Sequence, residues 1–296
     1  MSWLILPFGV RRLLILGVLL CLSGCSSTTF LYNRLDTLIG WYVLDYVSLS
    51  RDQRSDFNRR VDALLDWHRA EELPAYVVWL TEFEDSLDED LTEVELDELV
   101  DQLEEAASRL QGQVLDLLIN FGATLSHEQR IEFVLTLQKD QAELEKKYLA
   151  RTDDGYYQDI QKQFQKNLSR FLGTLTDSQE RAIEERSAKY QRLDFLWVED
   201  RGRWVSQLER VLRVDDPDWP DQAREIYLKR RDNRDSAYEQ AFARNTTISR
   251  EIIISVLNQR TSKQDLRLRR EIGKYRTDFE ALIESGQPIN REALVL

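Results

Sequence analysis

Cysteine, methionine, proline and glycine are all scarce in this sequence. Its 296 residues include 2 cysteines, 1 methionine, 5 prolines and 11 glycines. The low content of helix-breaking residues, together with a charged fraction of 31%, argues against a sheet protein or a disordered chain and is typical of proteins built from long helices. We therefore predict an all-α fold, in the form of an elongated multi-helix bundle.

Residue types that commonly carry catalysis or bind metals are also few. The 2 histidines are His68, on an apolar helical stripe, and His127, in a helix cap, and neither is at ligand spacing from another histidine or a cysteine. The sequence has no nucleophile elbow or P-loop, and the acidic run 85–90 lacks the glycine of an EF-hand loop. We predict a non-enzymatic protein with no catalytic residue, cofactor or metal site. The alternative is an enzyme with an unrecognised carboxylate site.

The N-terminal segment has the pattern of a secretory signal. Two arginines precede an apolar run over residues 13–22, which is too short to span a membrane. The run ends in the letters L-S-G-C at residues 22–25, which resemble the lipobox of bacterial lipoproteins. The resemblance implies cleavage between Gly24 and Cys25. It also implies a covalent diacylglycerol and acyl lipid, such as palmitate, on Cys25, and no other cofactor.

The lipobox also predicts where the protein is located and how its chain divides into segments. Ser26 follows the cysteine where a retention signal for the inner membrane would place aspartate, so we predict the outer membrane, with the protein facing the periplasm. The other cysteine leaves with the signal, which excludes an internal disulfide. The predicted segments are a signal peptide (1–24), a lipidated tether (25–29), one helical body (30–286, with a sub-boundary at 215–220 as the alternative) and a C-terminal tail (287–296).

Charge is distributed unevenly along this chain of net charge −13. Residues 71–105 contain 15 acids and no base, whereas residues 224–276 contain 14 bases and 7 acids. The bases alternate with acids at helical spacing, unlike a nucleic-acid-binding cluster. We predict that the two segments pack together. Solvated helix faces, or a basic face on anionic lipid, are the alternatives.

One short motif recurs at helix starts. A hydroxyl residue three positions before glutamine forms a capping box, and the preceding leucine packs against the new helix. Thr92 and Thr261 begin two further boxes, and the helix after Thr92 is predicted to end at Gly122 as its cap. One long helix, with a bend at Gly202 as an option, is predicted from Thr176 to the loop that begins at Asp215. The three motifs are Leu49-Ser50-x-x-Gln53, Leu125-Ser126-x-x-Gln129 and Leu175-Thr176-x-x-Gln179.

Aromatic residues concentrate in residues 30–47, close to the predicted anchor. Trp41, Tyr42 and Tyr46 are joined there by apolar residues at helical spacing. Two interpretations remain open for this segment. The rings belong to the protein core, or they rest in the lipid interface, where amphipathic rings are favoured.

Two resemblances bear on function. The three glutamine motifs resemble the L-T-x-x-Q motif of the Spy/CpxP periplasmic chaperones, which implies a chaperone-like or envelope-stress role. A longer resemblance is to an uncharacterised family of helical lipoproteins of Gram-negative bacteria. It implies the class of protein and its cellular location, and no activity. We predict a protein-binding or scaffolding module whose partners are membrane lipid, through the anchor, and an envelope protein, with no nucleic acid. The longer resemblance is carried by the lipobox, Tyr32-Asn33-Arg34-Leu35-Asp36, Trp41-Tyr42 and Gln53-Arg54.

Overall fold

The protein is all-α, as predicted. The computed structural model describes residues 27–230 and 232–286, and these residues contain no β-strand. A π-helical turn, His68–Glu72, joins α3 to α4. The α-helices are α1 (Ser27–Tyr32), α2 (Leu35–Leu44), α3 (Arg51–Trp67), α4 (Leu73–Ser86), α5 (Glu93–Gly122), α6 (His127–Leu149), α7 (Asp153–Leu172), α8 (Asp177–Ser187), α9 (Asp194–Arg213), α10 (Trp219–Leu228), α11 (Ser236–Asn258) and α12 (Ser262–Gly286).

Capping boxes begin five of these helices, and one of the five is α12, where the side chains of Thr261 and Gln264 each accept a hydrogen bond from the other residue's backbone N–H. Ser50, Thr92, Ser126 and Thr176 each accept a hydrogen bond from the backbone N–H three residues on. The side chain of that third residue accepts one in return from the N–H of the cap. Each box satisfies two donors that a helix N-terminus otherwise leaves unpaired. The local sequence therefore determines where these helices begin.

The predicted long helix after Thr176 is wrong, because the chain leaves the helix between α8 and α9. The side chain of Asn245 on α11 accepts a hydrogen bond from the backbone N–H of Gln191 at 2.8 Å and donates one to its carbonyl at 2.7 Å. These bonds replace the helical partners of Gln191, so the break is satisfied by a residue far along the chain.

Gly122 does not have the predicted capping conformation. Among the described residues, only Gly173 has a positive φ, and Gly122 is the last helical residue of α5. A Cβ at Gly122 would lie 2.8 Å from the ring of Trp219. The glycine is therefore required for close packing of α10 on α5, and it makes no left-handed turn.

Ion pairs connect the acidic and basic segments. Arg269 pairs with Asp88 at 3.0 Å, and Arg276 with Glu84 at 2.8 Å, where α12 packs along α4. Exposed pairs of this kind contribute only about 0–1 kcal/mol each. They therefore select which helices pack together, while apolar contacts provide most of the cohesion.

Candidate ligand cavity

A large apolar cavity lies between the two halves of the chain. Its volume is about 780 Å³, within the range of about 300–1,000 Å³ that is usual for ligand sites. Nearly all helices of the body contribute to its wall. Apart from tyrosine and tryptophan rings, the polar side chains that line it are His68, Gln111, Arg130 and Asn167. Among the described residues, no aspartate or glutamate lines it.

Helix α5 forms the longest side of the cavity. Its apolar stripe, which includes Leu99, Leu110 and Val114, points into the cavity and is only partly buried. Leu103 and Leu118 on the same stripe remain 43% and 42% exposed. The stripe that sequence periodicity assigns to a closed core therefore lines a space that reaches the surface.

A hydrogen-bonded network surrounds His68 at one end of the cavity. The hydroxyl of Tyr32 lies 2.9 Å from Nδ1, and that of Tyr76 lies 3.3 Å from Nε2. Burial lowers the pKa of His68 to about 4, so the ring is neutral at pH 7. A neutral imidazole donates from one nitrogen and accepts at the other, and both nitrogens have partners here. The His68 ring therefore links α1 to α4.

The π-helical turn that begins at His68 ends at a buried acid. Glu72 is 1% exposed, and its carboxylate accepts two hydrogen bonds from the guanidinium of Arg109 on α5, at 2.7 and 2.9 Å. Hydrogen bonding to Glu72 raises the pKa of Arg109 above its usual value. Bidentate pairs of this kind define the relative orientation of the two side chains and also stabilise their contact. The pair therefore holds α5 against the turn at this end of the cavity.

Two tyrosines, one in the last turn of α2 and one just after it, form a second polar cluster at the wall. Tyr46 donates a hydrogen bond to Asp140 Oδ2 at 2.6 Å, and its hydroxyl oxygen lies 2.7 Å from that of Tyr42. Burial raises the pKa of Tyr42 to about 12 and raises that of Tyr46 further, so both stay neutral. Ser48 next to them donates to Glu132 from its N–H at 3.0 Å and from its hydroxyl at 2.6 Å.

The glutamines of the recurring motif join the helix starts in pairs. The side-chain amides of Gln53 and Gln129 donate to each other's oxygen, both at 2.9 Å. Gln179 pairs in the same way with Gln264, at 3.2 and 2.9 Å. Each glutamine therefore closes its own capping box and also links it to a second one. The identical letters of the motifs were a signal for this pairing that the sequence analysis missed.

The leucines of the motif pack beside these boxes. Leu49 and Leu125 pack against the buried Phe57 and Phe121, and Leu125 also lines the cavity. Leu175 belongs to a different cluster, under α8 and α11. The motif residues therefore organise helix junctions, and most of the cavity wall comes from residues between the motifs.

Several predicted features lie outside the described residues or outside the cavity. Gly24, Cys25 and the tail 287–296 are outside the described residues. His127 is partly exposed beside Asp215. Over residues 27–230 and 232–286, no three histidine, cysteine or acidic side chains could together hold a metal ion. Within the same residues, no helix has the length and apolar character needed to cross a bilayer.

The described helices form an all-α body around a large apolar cavity. The chain belongs to the family of unknown function DUF6279, whose model matches residues 45–238. This membership agrees with the predicted resemblance to an uncharacterised family. Comparisons with curated proteins and with solved structures gave no match. The resemblance to the Spy/CpxP chaperones stays a prediction.

Proposed function

We propose that the protein is a lipid-anchored protein of the outer membrane, facing the periplasm, that holds the acyl chain of a lipid in its cavity. The observation that carries this proposal is the cavity of about 780 Å³ with its almost wholly apolar wall. Transfer of hydrocarbon from water into such a space contributes about 0.8 kcal/mol for each methylene. Binding strength then comes from chain length and needs few polar contacts.

A peptide fits this cavity less well than a hydrocarbon chain. Every peptide residue brings backbone polar groups, which are costly to bury without partners. The wall offers few such partners, because His68 is bonded to two tyrosines and Arg130 donates to the Leu125 carbonyl and to Asp215. The oxygen of Gln111 accepts from a tyrosine. The cavity therefore favours an acyl chain over an unfolded protein segment.

The functions predicted from sequence would need surfaces outside the cavity. Large exposed apolar side chains outside the cavity, such as Leu149, Leu228 and Leu266, lie on three different helices. Isolated exposed leucines are common on soluble surfaces. They do not by themselves favour a scaffolding or chaperone surface, so these functions stay predictions. A carboxylate enzyme would need its acids outside the cavity wall.

Titration with saturated fatty acids of increasing length tests the proposal. From about eight to about fourteen carbons, we expect the affinity to rise about fourfold per methylene, until the chain fills the cavity. An unstructured apolar peptide should not compete. A dissociation constant independent of chain length would contradict the proposal, and displacement of the fatty acid by the peptide would favour the chaperone hypothesis.

The proposed location rests on the lipobox and Ser26, and fractionation tests it. Membranes separated on a density gradient should carry the protein with outer-membrane markers. Recovery with inner-membrane markers would contradict the outer-membrane assignment, and it would leave the proposed anchor and the cavity unaffected.

A further inference from the structure

Helices α1 and α2 form the part of the cavity wall that is nearest in sequence to the proposed anchor. We infer that the outer face of α1 and α2 rests on the membrane surface, and that a phospholipid acyl chain enters the cavity by displacing α2. This inference rests on the proposed function, because it supplies the source and the route of the ligand. It is carried by the two faces of α2, by its attachments and by its distance from Cys25.

The two faces of α2 differ in the way expected of a helix that lies between the membrane and the cavity. Leu35, Ile39 and Val43 recur at helical spacing and line the cavity. Trp41, on the opposite side of the helix, is 65% exposed, and Phe30 on α1 is 59% exposed. One face of the segment thus contacts the ligand space, while large aromatic rings project from the other.

The attachments of α2 are weak in the middle and polar at the ends. No residue of α2 is fully buried, and its N-terminus has no side-chain cap. Among the described helices, α3 is the one against which the backbone of α2 packs extensively. Beyond its ends, Tyr32 bonds to His68, and Tyr46 bonds to Asp140. Displacement of α2 exposes apolar surface to the ligand or to lipid and separates the Tyr42 hydroxyl from that of Tyr46, which breaks one hydrogen bond between neutral groups and leaves no buried charge unpaired.

The distance to the anchor places this segment at the membrane. Cys25 lies two residues before the start of α1, and two extended residues span at most about 7 Å. The anchor would therefore hold the start of α1 close to the membrane, and exposed indole and phenyl rings further along α1 and α2 favour the interface between headgroups and acyl chains. The core interpretation of residues 30–47 therefore applies to one ring of the segment, and we assign the interface interpretation to two others. Tyr46 is buried, whereas Phe30 and Trp41 face outward.

A disulfide between α2 and α3 tests the route. A Cβ at Gly40 would lie 3.1 Å from Oδ1 of Asn58, so Gly40→Cys with Asn58→Cys places one cysteine on each of two closely packed helices. The experiment uses the mature lipidated chain, in which the lipid occupies the sulfur of Cys25 and Cys21 has left with the signal, so no native thiol competes. Uptake is measured from vesicles of equal parts phosphatidylethanolamine and phosphatidylglycerol that carry a pyrene-labelled acyl chain.

The oxidised variant should take up the probe at least tenfold more slowly than the same variant after reduction, which should match the parent chain. Equal rates before and after reduction, with the disulfide verified by mass, would overturn the inference. Failure of the parent chain itself to take up probe, from vesicles or from solution, would instead refute the proposed function.

A substitution on the outer face gives a second test that needs no disulfide. Trp41→Ser should slow uptake from the same vesicles at least fivefold and leave the affinity for a fatty acid in solution unchanged. Leu266→Ser is the matched control, because Leu266 is 71% exposed on α12. It should change neither quantity. Equal uptake by the Trp41→Ser and Leu266→Ser variants would overturn the membrane-facing orientation.

Discussion

Replacement of Leu110 or Val114 by tryptophan is expected to weaken the binding of a long-chain fatty acid by roughly a hundredfold while the protein stays folded. Both side chains lie one turn apart on α5, line the cavity and are only partly buried. A larger ring there takes the space of several methylenes, and four methylenes at about 0.8 kcal/mol each correspond to about 3 kcal/mol. Fatty-acid titration measures the affinity, and thermal unfolding measures the stability.

Gln113→Trp is the matched control for these variants. Gln113 lies on the same helix, is exposed and does not line the cavity. It adds a tryptophan to the outer face of α5, so the affinity should stay at the level of the parent chain. Equal affinity of the Leu110→Trp and Gln113→Trp variants would show that the ligand binds outside the cavity.

Asp200→Ala should lower the free energy of unfolding by about 3–5 kcal/mol, because it leaves a buried cation without its counter-charge. Asp200 and Arg230 are 5% and 4% exposed, and their side chains bond at 2.8 Å. Burial lowers the pKa of Arg230, and the carboxylate of Asp200 opposes that effect. The guanidinium also lies over Trp204, a residue of the cavity wall, at 5.1 Å from its ring centroid.

Urea unfolding measures this loss, and the neighbouring Glu199→Ala variant is the control. Glu199 pairs with Arg203 at 2.8 Å on the exposed side of α9, so its removal should cost only about 0.3–0.5 kcal/mol. The double variant Asp200→Leu with Arg230→Met should recover much of the stability, because apolar residues can replace a buried pair. Equal unfolding midpoints for Asp200→Ala and Glu199→Ala would contradict this account of the pair.

The features that sequence predicts well are those decided by neighbours along the chain. The capping box at Ser126 needs only the hydroxyl and Gln129, three residues apart, and the helix that it begins follows from apolar periodicity. The break between α8 and α9 depends on Asn245, which lies far from Gln191 in sequence. Local patterns do not contain that information, so a continuous helix was the natural prediction.

The cavity was not predictable, because an apolar stripe on a helix does not specify whether side chains or an open space face it. Val114 and Leu110 have the spacing of core residues whether other side chains or a ligand fill the facing space. The absence of catalytic motifs directed the sequence analysis to a protein-binding surface. A ligand site made of ordinary core residues has no motif of its own, and only the packing of distant helices reveals it.

Mass spectrometry of the protein purified from its membrane tests the central claim most directly. Under denaturing conditions, we expect a chain that begins at Cys25 and carries covalent lipid. Under native conditions, the mass should increase by one non-covalent acyl lipid, and the Leu110→Trp variant should lack this increase. A native mass of the parent protein equal to its denatured mass, in preparations that retain lipid on a known carrier, would contradict the account.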